Sequence, residues 1–153
     1  MAFLIDKYLP SYTYNEIHNR IVNADVETCF TVTKDLDMSK SFVTKLLMKL
    51  RGLPTHDLTL QGFIKNICFK YLEEETPNEF VIDASQKEIK IIWNFYFTLL
   101  TENETLVSTE TRILCLTKKS KFWFSIYWFF IKPFSGITRL EMLRLIKKKA
   151  ESN

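Results

Sequence analysis

The chain has 153 residues, enough for one domain with a proper hydrophobic core. Hydrophobic residues make up 46% and aromatics 14%, with 13 Phe against 3 Gly and 4 Pro, which excludes a disordered or linker-rich protein. A net charge of +3 is too small to argue for nucleic acid as a partner. In chain order, an irregular start precedes an extended pattern over Tyr14 to Val22, carried by Ile17, Ile21 and Val22. Asn23-Ala24-Asp25 breaks it, and Asp25 is placed to cap a helix running through Val26, Cys29, Phe30 and Val32. Ser39 is expected to open a second helix, with Phe42, Val43, Leu46, Leu47 and Leu50 at helical spacing and Gly52 and Pro54 as its stop. Leu58 to Asn66 reads as a short helical turn.

Two hairpins follow. Ile67 to Glu74 and Glu79 to Ala84 bracket Thr76-Pro77-Asn78, and Ile89 to Leu100 and Thr105 to Leu116 bracket Glu102-Asn103-Glu104. Strand side chains alternate, so Trp93, Phe95, Phe97 and Leu99 share one face. The order is a strand, two short helices, an antiparallel meander and a long C-terminal helix interrupted by Pro133. Such a meander has to curl around the late helix to hide both apolar faces.

At about 100° per residue, Lys118, Lys121, Ser125 and Lys132 fall within about 60° of one another, and nearly all the remaining circumference of that helix is aromatic or aliphatic. A sheet consumes one face only. The rest is expected to lie under the two early helices, or else to serve a ligand, a dimer interface or lipid headgroups. The lysine runs, Lys118 to Lys121 and Lys147 to Lys149, read as solvated faces, with anionic lipid as the other reading. Beyond Phe134 the apolar face is Met142, Leu143, Ile146 and Ala150, with Arg139 in its middle. A guanidinium there needs an acid partner or a snorkelling exit; a Glu110–Arg139 or Glu110–Arg112 ion pair is expected, since Glu110 and Arg112 share a strand face, with a polar anchor for a ligand carboxylate or hydroxyl as the other reading.

Catalytic motifs are lacking. His18 and His56 stand in unrelated segments, so neither a histidine metal site nor a Ser-His-Asp relay has material to build on, and no glycine-rich phosphate loop exists. Cys29, Cys68 and Cys115 have no C-x-x-C spacing; with no signal peptide they read as reduced, buried cytosolic thiols. Phe122 to Ile131 is half the length a membrane span needs.

Several strings, in this order and spacing, resemble the START / birch-pollen-allergen (SRPBCC) superfamily, and more narrowly a small bacterial branch of it. They are LIDKYLPSYTYNEIH at the start, WNF at Trp93 to Phe95, STETR at Ser108 to Arg112, and YWFFIKPFSGITRLEMLRLIKKKAE at the end. The resemblance implies an α+β helix-grip fold, a curved antiparallel sheet wrapped around the C-terminal helix kinked near Pro133, with a cavity for apolar small molecules between them. It implies no particular reaction. Five strands are expected where that fold usually shows six or seven, and the stretch Asp83 to Lys90 before WNF is short.

The first function expected is therefore binding of a hydrophobic small molecule or lipid in that cavity. Trp93, Phe95 and Phe97, or their alternates on the opposite strand face, would line it, with Tyr127, Trp128 and Phe130 facing from the helix and Glu110, Arg112 and Arg139 as its polar end. The alternative is docking of residues 122–131 on a second copy of the chain or on a membrane surface. A third is a cyclase- or hydrolase-type enzyme using Glu110 or His56 as general acid–base. Neither a cofactor nor a metal is expected, and the location expected is cytoplasmic.

Overall fold

The computed structural model describes residues 2–153. Its elements are α1 (Leu4–Tyr8), β1 (Tyr14–Val22), α2 (Val26–Lys34), α3 (Phe42–Leu50), α4 (Leu60–Asn66), β2 (Lys70–Glu75), β3 (Glu79–Asp83), β4 (Ile89–Thr101), β5 (Glu104–Cys115) and α5 (Lys118–Ala150). The five strands form one sheet in the order β1-β5-β4-β3-β2, antiparallel throughout.

Local chemistry sets most boundaries. Asp25 caps α2 by accepting from Thr28 N at 2.8 Å, Thr59 caps α4 through Gly62 N, and Thr117 caps α5 through Ser120 N. The cap of α3 is Ser41 rather than the expected Ser39: Ser41 Oγ accepts from Thr44 N, while Ser39 N donates to Asp37 Oδ1 in a tight turn. The expected strand from Ile67 begins only at Lys70, because Ile67 ends α4 and Cys68 adopts a φ of 58°. The N-terminus is not irregular. It forms α1, whose Leu4 and Ile5 amides donate to the Glu79 carboxylate, a favourable charge at a helix start.

Alternation gives the sheet two buried faces in its centre. Phe80, Ile82, Trp93, Phe95, Phe97 and Val107 point inward, into a core with Phe30, Met48, Met142, Leu143 and Ile146. Val81 and Ile92 point outward and are covered by Ile5 and Leu9 of the α1 region. Helix α5 continues through Pro133. Its second half buries Met142, Leu143, Ile146 and Ala150 against the inner face as expected.

The first half of α5 departs from expectation. The early helices do not cover its aromatic circumference: Phe122, Trp123, Phe129 and Phe130 are 60–76% exposed. Helix α3 meets α5 through Ser41 Oγ on Glu141, at 2.6 Å, and Arg51 on Tyr127 Oη, at 3.3 Å. Its own Phe42, Leu46 and Leu50 stay exposed. Among the described residues no helix is long and apolar enough to cross a membrane. The three cysteines are unpaired, with Cys29 buried and Cys68 exposed, contrary to the expectation that all are buried.

Candidate functional site

A partly enclosed cavity of about 500 Å³ lies between the sheet and α5. The sheet contributes Ile91 and Trp93 from β4 and Thr111 and Ile113 from β5. These share the inner face because Trp93 pairs with Thr111 and Ile91 with Ile113 across the hairpin. Helix α5 supplies the facing wall, from Phe124 through Tyr127, Trp128, Ile131 and Phe134 to Ser135, Thr138 and Arg139. Leu50 and Arg51 at the end of α3 and Phe63 of α4 complete it.

The apolar end is built from stacked rings. Phe124 stacks on Trp128 at 5.8 Å between centroids, and Tyr14 closes on both from β1. Trp93 is fixed edge-on by Phe63, and its Nε1–H donates to Thr109 Oγ1 at 2.7 Å. The polar end is Arg139. Its guanidinium lies over the Trp93 ring at 4.2 Å, and Nη2 donates to Thr111 Oγ1 at 2.6 Å. Nε is buried without an acceptor, and Arg139 forms no ion pair among the described residues. Loss of water around the guanidinium pushes its pKa down from 12.5 to about 10; the negative charge of Glu16 works in the opposite direction.

Glu16 reaches this region because β1 and α5 approach closely at Gly136. A Cβ there would lie 3.0 Å from Glu16 Oε1, which already bonds His18 Nε2 at 2.7 Å. A larger residue at this crossing would require the Glu16 carboxylate to shift by a few tenths of an ångström.

Of the residues expected to line the cavity, Trp93, Tyr127, Trp128 and Arg139 do so. Phe95 and Phe97 are on the expected face but lie deeper in the core, against Phe80 and Phe30 at 5.3 and 5.5 Å. Phe130 points away and is 65% exposed. Glu110 and Arg112 are on the wrong side of the sheet. Arg112 donates to Glu110 Oε1 and Asp6 Oδ1, both at 2.7 Å, and to the Leu9 carbonyl, pinning the α1 region to the outer face. Burial opposes the charge of Arg112, but those two carboxylates outweigh it and raise the pKa. Of the two ion pairs considered, Glu110–Arg112 forms and Glu110–Arg139 does not. His56 lies exposed in the loop before α4, so neither acid–base candidate reaches the cavity. Arg51, Phe124, Phe134 and Thr111 are lining residues that the sequence reading passed over.

A second opening, of about 550 Å³, lies between α4 and β2 and includes Lys34, Lys65, Lys70 and Tyr71. Its lining includes no residue of α5 and none of the residues expected to line a ligand cavity. The sheet–helix cavity is the better candidate, because two long elements bound it and it joins aromatic rings to a desolvated charge.

Neither a protein-family model nor a curated protein matches the sequence. Among solved structures, a point mutant of norcoclaurine synthase from Thalictrum flavum aligns over 90% of this chain and 93% of that one, at 9% identity and a TM-score of 0.51. The protein has the helix-grip fold. A START superfamily protein from Mycobacterium smegmatis aligns over 90% and 94% of the two chains at 13% identity, with a TM-score of 0.46. The Zhui aromatase/cyclase from Streptomyces sp. R1128 covers 90% and 93% at 9% identity, with a TM-score of 0.39. The likeness to the norcoclaurine synthase, at 9% identity, concerns the architecture alone and leaves the ligand to the residues of the cavity.

Proposed function

We propose that this helix-grip protein binds an apolar small molecule in the cavity between its sheet and α5, with Trp93, Tyr127, Trp128 and Arg139 in contact with the ligand. The observation that carries the reading is the cavity itself. Its volume of about 500 Å³ exceeds the roughly 300 Å³ at the lower end for small-molecule sites. Phe and Trp side chains have not filled it. The norcoclaurine synthase with this fold holds a transition-state analogue, in keeping with a fold that houses small organic molecules. With Glu110 and His56 outside the cavity, the acid–base chemistry considered for them has no geometric support. Three unpaired thiols suit a reducing compartment such as the cytoplasm.

Native mass spectrometry of freshly purified protein, followed by organic extraction, tests this directly. The expected result is an apolar adduct at one per chain that is absent from Ser135→Phe, whose phenyl group would occupy the cavity. Adduct retained at full occupancy in that variant would place the ligand elsewhere.

A second reading rests on the uncovered aromatic face. Phe122, Trp123, Phe129 and Phe130 stand exposed beside Lys118, Lys119, Lys121 and Lys132, the combination that settles on anionic lipid headgroups. Flotation with vesicles of phosphatidylglycerol and phosphatidylcholine tests it: the wild type should float and Phe129→Asp/Phe130→Asp should not. A wild type that stays at the bottom as a dimer would assign the face to a second copy of the chain.

A further inference from the structure

The charges of the cavity identify the kind of ligand it suits. Its lining contains two arginines, Arg51 and Arg139, and no aspartate or glutamate. Arg51 is engaged only with the Tyr127 hydroxyl, at a long 3.3 Å, and forms no ion pair among the described residues. Arg139 spends only Nη2 on a protein acceptor, the neutral Thr111 hydroxyl, and its Nε has none. The carboxylate nearest in influence, Glu16, lies outside the lining and is bonded to His18. Glu16 attracts the Arg139 charge without a salt bridge to it, and a buried cation with no directly bonded anion is costly to the free protein. The cost is offset when an anion arrives, and a guanidinium presents the flat donor fork that matches a carboxylate. Most of the remaining wall is apolar, with the rings of Phe124, Trp128 and Phe134 beside aliphatic side chains such as Ile91 and Ile113.

We propose that the ligand is an apolar molecule ending in a carboxylate or comparable monoanion, its charged end against Arg139 and its body among the rings of β4 and α5. This rests on the cavity being a ligand site. Arg51, across the cavity from the sheet, adds long-range attraction and is not the anchor. Neutral apolar molecules of the same shape enter the cavity but leave Arg139 without a directly bonded anion, so they bind more weakly.

The test compares two probes of nearly equal shape, 2-naphthoate and 2-naphthamide, by calorimetric titration into the full chain. Wild type should bind the carboxylate at least about tenfold more tightly than the amide. Arg139→Gln should reduce that ratio to within about twofold, and Arg139→Lys should keep part of the preference, since charge is retained without the fork. Equal binding of both probes by wild type would overturn the anionic anchor and leave an apolar binding site in place. A preference that survives Arg139→Gln would overturn Arg139 as its source. Binding of neither probe, with decanoate and decanol also rejected, would overturn the cavity reading and the anchor with it. Should Arg139→Gln fail to fold, the wild-type ratio still decides whether the cavity selects an anion.

Discussion

Replacing Arg139 by methionine should make the ligand-free protein more stable, although it removes a side chain with several contacts. The pKa falls from 12.5 to about 10 because the guanidinium has lost water, and a shift of that size corresponds to roughly 3 kcal/mol against the charged form. Two contacts offset it: the bond to Thr111, worth about 1 kcal/mol, and the stacking on Trp93, worth about another. Methionine of similar length loses both contacts and the desolvation cost together. The balance is a gain of about 1 kcal/mol, or a rise of about 2–4 °C in Tm for a chain of this length. Urea unfolding at pH 7, followed by far-ultraviolet circular dichroism, measures the change, with an unaltered denaturant slope as evidence that both proteins unfold from the same compact state. A loss of more than about 1 kcal/mol would refute the reasoning, because it would mean that Arg139 is a satisfied core group whose internal contacts explain its position.

Arg112→Ala should behave in the opposite way, leaving Glu110 buried without its partner on the outer face. We expect a loss of about 3 kcal/mol in urea unfolding with 2-naphthoate affinity unchanged, and a weakened affinity in a still-folded variant would contradict the placement of this cluster away from the cavity. Acid should weaken the sheet edge at β2. Lys34, with help from the Tyr71 hydroxyl, holds the Glu74 carboxyl down from 4.5 to about 2. A depressed carboxyl contributes stability above its unfolded pKa and loses it as pH falls, so the contribution should fade between pH 4.5 and about 2. The pair is near the surface, so Glu74→Gln should cost less than about 1 kcal/mol at pH 7, with the difference from wild type closing by pH 2. A difference that stays constant across that window would mean the carboxylate contributes nothing by its charge.

Much of the site could be read from local pattern. The turn at Glu102-Asn103 pairs Thr101 with Glu104, a register that would carry on to set Trp93 opposite Arg112, but the irregularity between Leu99 and Thr101 shifts it by one, so Trp93 pairs with Thr111 and Glu110 and Arg112 fall on the opposite face. Alternation tells that Glu110 and Arg112 lie on one side; which side that is depends on the bulge, so the expectation that grouped all of these in one cavity could not be sorted by the turn residues alone. Grouping Glu110 with Arg112 was sound for the same reason, since residues two apart in a strand share a side. The N-terminal helix was less legible. Five residues carry too little periodicity to declare a helix, and this one depends on the distant Glu79 and Arg112 for its place.

What the sequence determined by itself was most of the elements, the cap at Asp25 and which side chains of one strand or helix share a face, because these depend on neighbours a few residues away. Tertiary structure alone decided which faces meet. Phe95 and Phe97 share a strand face with Trp93, yet Phe30 and Phe80 close over them, while Trp93 opens on a cavity with Arg139 above its ring. The aromatic turns of α5 could have been covered by α3, yet α3 reaches them only through Arg51 and leaves Phe129 and Phe130 in water. Periodicity says which side of an element is apolar. Whether another element, a ligand or a lipid surface covers that side depends on how a long helix crosses a twisted sheet, and that crossing is set by contacts between residues far apart in the chain.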